Sequence, residues 1–93
     1  MFSNLNKQGV RSDLGFEVQI TGRFSAEYRE GGRVFEIPVE FGGGMGGACV
    51  ILRRAEIVQV LAVSRKWNLQ EEARILTNLE DAFRFLGLDV SIE

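Results

Sequence analysis

Two adjacent glycines, Gly31 and Gly32, decide how the middle of this chain must run. They sit inside the stretch FEVQITGRFSAEYREGGRVFEIPVEF, residues 16–41. Before them the apolar residues fall on even positions: Phe16, Val18, Ile20, Phe24, Ala26 and Tyr28. After them the parity switches to Phe35, Ile37, Val39 and Phe41. A period of two marks strands with one dry face. A two-residue loop at Gly31-Gly32 pairs Glu30 with Arg33, and so sets Tyr28 against Phe35, Ala26 against Ile37 and Phe24 against Val39. That register puts every apolar residue on one side, so turn chemistry and alternation agree.

The rest of the chain is read around this hairpin. Residues 1–15 show no period and are punctuated by Gly9, Asp13 and Gly15, which predicts a partly ordered N-terminal arm. Gly22 breaks the first strand opposite Phe41, the place for a bulge or a close approach of backbone. Phe16 to Thr21 outruns its hairpin partner and needs another neighbour. On the polar side, Arg23 is expected opposite Glu40, and Glu27 opposite Glu36 with Arg29 diagonal to it. Pro38 falls opposite Ser25 and lacks an N–H, so its strand is either an edge there or forfeits one ladder bond to the next strand.

GGGMGG, residues 42–47, reads as a connector. Ala48 to Arg53 is apolar on both faces and predicts a central strand. In residues 55–63 the β-branched side chains favour a strand, and a helical turn over Arg54 to Val58 is the alternative. Asn68 with Glu71 forms a capping box, and a stripe of Leu69, Ala73, Leu76, Leu79, Phe83 and Leu86 predicts a helix. Gly87 with Leu88 supplies its stop. Leu88, Val90 and Ile92 then alternate as a last strand beside an earlier one. The fold class is therefore α+β, an antiparallel-dominated sheet with one C-terminal helix across its apolar face, a two-layer sandwich in a single domain over residues 16–93.

Function is bounded by what the composition lacks. A formal charge of −2 and a pI near 5.2 give no basic footprint for nucleic acid. No apolar run approaches a membrane span, and the start lacks the basic and apolar regions of a secretory signal, so a cytoplasmic setting is expected. With one cysteine, Cys49, there is no intrachain disulfide, and with no histidine the commonest general base and metal ligand are missing. The residues therefore point to a protein that is not an enzyme and needs no metal or cofactor.

Each remaining motif has a plain reading beside a functional one. Gly42, Gly44 and Gly47 match G-x-G-x-x-G, but ACVIL follows where a dinucleotide site needs a helix. Glu27 and Glu36, with Glu40, could in principle serve acid/base chemistry, yet they fall on a solvated face. Cys49 reads as a small buried hydrophobe. Arg53-Arg54 and Arg65-Lys66-Trp67 are the basic clusters. Arg and Trp anchor many protein interfaces, so these five residues are the candidate partner-binding set, with Trp67 as a roof over the helix start the alternative.

The order YREGGR turn, alternating strand, glycine-rich break, V-I-L strand, Trp67 linker, EEARILTNLEDAFRFLGL helix and final V-S-I-E resembles the small immunity proteins of bacterial polymorphic-toxin systems, the class numbered seventy-four. The resemblance covers Ala26 to Glu93. It implies a non-enzymatic cytoplasmic inhibitor that binds a cognate toxin by surface complementarity, with charge setting the on-rate. A basic toxin such as a nuclease would suit an acidic protein. The alternative is a small self-associating protein, a homodimer paired through a free hairpin edge.

Overall fold

The computed structural model describes residues 1–44, 47–63 and 68–93. Five strands form an antiparallel meander: β1 (Phe2–Asn6), β2 (Gly9–Ser12), β3 (Phe16–Gly22), β4 (Ser25–Glu30) and β5 (Arg33–Pro38). A second sheet holds β6 (Glu40–Gly44), β7 (Gly47–Leu52) and β8 (Asp89–Ile92). Two helices, α1 (Arg54–Leu61) and α2 (Leu69–Phe85), lie between β7 and β8 in the chain. The α+β class with a principal C-terminal helix is as expected; the division into two sheets is not.

The glycine turn behaves as its chemistry requires. Gly31 and Gly32 have φ of 57° and 79°, the left-handed pair of a tight hairpin loop. Glu30↔Arg33, Tyr28↔Phe35, Ala26↔Ile37 and Glu27↔Glu36 are all in register. Pro38 pairs with Ser25, and β5 is an edge of its sheet, so its missing N–H forfeits no ladder bond.

The strand before the turn is shorter than expected. The chain folds back at Arg23-Phe24, and β3 pairs with β4 through Val18↔Tyr28 and Ile20↔Ala26. Both partners carry even numbers, so a fold-back here keeps every apolar residue on the same face. Alternation therefore cannot distinguish one long strand from two short ones. Phe24 lies in the turn and is 62% exposed, where an inward position is expected. Beyond Pro38, buried Val39 ends the meander and Glu40 starts the second sheet, so Gly22 is not the strand partner of Phe41, which pairs with Val50. Gly22 pairs with Ser25, at an irregularity in the β3–β4 register.

Most of residues 1–15 lies in strands β1 and β2, where an arm is expected. Val10 pairs with Val18 and is fully buried, and Phe2 packs edge-on against Phe16 with ring centroids 5.8 Å apart. Ser12 takes a core-side position that an apolar residue would have advertised; its Oγ accepts from the Leu14 N–H at 3.0 Å. Gly42, Gly43, Gly44 and Gly47, read as a connector, belong to β6 and β7. Residues 55–61 are helical despite their β-branched side chains. Ile57 and Leu61, four positions apart, are both buried, and that tertiary gain outweighs a weak local preference.

Helix α2 supplies the lid. Asn68 caps it, its Oδ1 accepting from the Glu71 N–H at 2.8 Å. Ile75, Leu79, Ala82 and Phe83 are fully buried, and each large side chain contributes about 1.5–3 kcal/mol on leaving water. Gly87, at φ 87°, closes the helix: the Leu88 N–H reaches Phe83 O and the Gly87 N–H reaches Arg84 O, each at 3.0 Å. Leu69 and Ala73, expected in the apolar stripe, are exposed; Glu71 and Glu72 hold the buried positions instead. From Gly87 the chain enters β8, which pairs parallel to β7 through Val50↔Val90.

Candidate functional site

The densest polar cluster joins the glycine turn to α2. Glu30 and Arg33 flank the turn, and α2 presents Glu71, Arg74 and Asn78 at spacings of three and four, hence on one face. Arg33 pairs with Glu71, and Arg74 with Glu30; longer contacts cross-link them, Arg33–Glu30 at 3.4 Å and Arg74–Glu71 at 3.8 Å. The Tyr28 hydroxyl donates to Glu30 Oε2 at 2.9 Å and accepts from Asn78 Nδ2 at 2.9 Å. Burial pushes the Tyr28 pKa far above the ordinary phenol value; the Asn78 bond opposes this and Glu30 adds to it. Two carboxylates and two guanidinium groups balance, so the cluster is a lock between sheet and helix.

The predicted partner-binding residues are placed in part. Arg53 stands just before α1, and its Nη2 meets Glu40 Oε2 at 2.5 Å. Hydrogen bonding and attraction from that carboxylate raise the Arg53 pKa above its ordinary value. Glu40 thus pairs with Arg53 and not with Arg23, its expected partner. Arg54 opens α1 and sets its Nε 3.0 Å from Glu72 Oε1. Adjacent arginines are thereby tied to different elements, one to the second sheet and one to α2, while both side chains keep about half of their surface in water. Arg65, Lys66 and Trp67 lie outside the described residues.

Other expectations resolve on geometry. Glu27 faces Glu36 across β4 and β5, but its charge is met by Arg29 on its own strand, and Arg29 does not turn to Glu36 as expected. In the glycine-rich stretch Gly42 pairs with Cys49 and Gly44 with Gly47 across the β6–β7 hairpin. Strand β7 stands where a dinucleotide site would place its helix. Met45 and Gly46 lie outside the described residues. Cys49 is half-buried, not fully so as expected. Among the described residues no cluster of three acidic or thiol side chains is placed to hold a metal ion, and no helix is long and apolar enough to cross a membrane.

Two open cavities frame the meander. One of about 390 Å³ lies at the glycine-turn end, beside Arg11, Arg29 and Arg33, each already paired with a glutamate. Another of about 460 Å³ lies at the opposite end, where the β3–β4 turn meets β6 and β7. The lock and this second cavity are both missing from the expectations. The lock's only trace in the sequence is the charge at each side of the glycines, since Glu71 reads equally well as half of a capping box.

Comparison of the chain with protein-family models, with curated proteins and with solved structures returned no match.

Proposed function

We propose that this chain is a non-enzymatic binding protein of the immunity type, which neutralises a cognate toxin in the cytoplasm by covering its surface. The observation that carries the reading is the Arg53-Arg54 pair. Each guanidinium is held by a glutamate, Glu40 or Glu72, yet remains half exposed. An arginine fixed in this way loses less freedom when it binds, and arginine is enriched among the residues that dominate interfaces. The unused N–H groups of both forks point to carboxylates on the partner. The order of motifs from Ala26 to Glu93 supports the same reading, and the buried carboxylates serve as ties to arginine.

The test is binding to the product of the neighbouring gene, with survival on co-expression. Binding and protection are expected, and Arg53→Glu should slow association with a smaller effect on dissociation. Absence of binding to any adjacent-gene product, together with absence of protection, would remove the proposal.

A second reading is self-association through the hairpin edge. It is favoured by β5, an edge strand with Val34 exposed upon it. Light scattering separates the two: a strict monomer at high concentration rules out the dimer.

A further inference from the structure

We propose that the cavity between the two sheets binds a small monocarboxylate with a hydrocarbon body. Its apolar walls come from both sheets, with Ile20 from β3, Phe41 from β6, Ala48 and Cys49 from β7 and Leu88 closing the side next to β8, while Gln8, Thr21 and Arg23 add a polar part to the lining. A volume of about 460 Å³ lies within the range of about 300–1,000 Å³ typical of small-ligand sites. Glycines keep it open. At Gly42 a Cβ would stand 3.3 Å from Cys49 Sγ, tight against the wall. Gly22, at the irregular β3–β4 register, is a second lining glycine, where a Cβ would stand 3.3 Å from Ser25 Oγ.

The charge at the rim selects the ligand. Arg23 lines the cavity, and no carboxylate lines it. Among the described residues every other arginine lies within 4.0 Å of a carboxylate, and Arg23 has none. The other described cation without such a partner is Lys7, which precedes Gln8 of the same rim. Gln8 is fixed there by its carbonyl, which accepts from the Ile20 N–H at 2.8 Å. The Arg23 guanidinium lies 5.5 Å from the centroid of the exposed Phe24 ring, which supports it on one side and leaves N–H groups for an anion. The meander thus gathers its two unmatched cations at one end, beside the apolar opening. An acid head fits the cations and a hydrocarbon tail fits the walls.

Cys49 provides a built-in reporter, since it is the single cysteine of the chain and forms part of the wall. Alkylation of the full chain by the neutral reagent iodoacetamide is followed with decanoate, decanol, decyltrimethylammonium or acetate present. Decanoate is expected to slow alkylation severalfold and to shift the amide resonances of Thr21, Arg23 and Cys49. Decanol and acetate should require far higher concentrations, and the cationic amphiphile should give no protection. Arg23→Gln lies in an exposed turn and should weaken decanoate about tenfold while leaving decanol unchanged. Ala48→Phe fills the opening from an exposed wall position and should abolish protection, with its melting curve confirming the fold. Equal protection by decanol and decanoate would overturn the proposal. So would unaltered decanoate binding by Arg23→Gln, or absence of protection by decanoate at millimolar concentration.

Discussion

Asn78 Nδ2 donates to the Tyr28 hydroxyl at 2.9 Å, so the middle of α2 is hydrogen-bonded to β4 of the meander. The same hydroxyl donates onward to Glu30, which Arg33 and Arg74 hold from two directions. A buried phenol with both a donor and an acceptor partner is satisfied, and removing its oxygen strands both neighbours. Tyr28→Phe should therefore lower stability by about 1–3 kcal/mol, measured by urea unfolding, although the ring packing against Phe16 is kept.

Alkaline pH should act through the same group. The folded state holds the Tyr28 proton to a higher pH than the unfolded chain, whose phenol titrates near about 10. Its contribution is therefore complete below about pH 10 and is lost as pH rises through the window above that value. Tyr28 is the single tyrosine, so tyrosinate absorbance reports this site alone. The absorbance should rise together with unfolding; a tyrosinate signal near pH 10 in the folded protein would contradict the burial.

Arg33 and Glu71 should behave as a pair. Glu71→Ala leaves Arg33 with a single, longer carboxylate contact, to Glu30, and should cost about 2–3 kcal/mol, less than a fully buried pair because Arg33 is partly exposed. The double variant Arg33→Met, Glu71→Leu should recover much of that loss. Chemical denaturation of the singles and the double gives the coupling directly.

Arg53 and Arg54 should differ despite being neighbours. Arg54 is 61% exposed, yet its partner Glu72 is only 4% exposed. Arg54→Ala leaves that carboxylate without its partner and should destabilise the fold by roughly 1–2 kcal/mol. Arg53 and Glu40 are both well exposed, so Arg53→Ala should leave the melting temperature near wild type. For partner binding, Arg53→Ala is consequently the cleaner probe.

Gly87→Ala tests the helix stop. At φ 87° an alanine is strained, with no neighbouring atom to blame, and about 1 kcal/mol should be lost. Thermal unfolding of that single variant checks it.

What was legible in the sequence follows a physical divide. The β4–β5 hairpin and α2 were readable because each is specified twice over short range, by turn or cap chemistry and by apolar period. The fold-back at Arg23 was hidden because even-with-even pairing preserves the faces. Helix α1 was hidden because Ile57, Val58, Val60 and Val63 speak for strand locally, while burial of Ile57 and Leu61 decides for helix. The burial of Glu71 and Glu72 was hidden, since nothing local reveals that Arg33 and Arg54 wait across the fold. Of the partner-binding set, Arg53 and Arg54 stand side by side at the start of α1. Arg23 was read as one half of a cross-strand pair, and its lack of any carboxylate became visible only when Glu40 turned to Arg53.

The parallel pairing of β7 with β8 sets a timetable for folding. Neighbours in the meander are close in the chain, whereas both helices separate Cys49 from its partner Asp89. Long closures are slow because chain entropy is lost before contacts return it. Pulse-labelled amides of β3 and β4 should gain protection before those of β8. During that interval the flank of β7 is unsealed, and the half-made protein is then most prone to stick to other copies of itself.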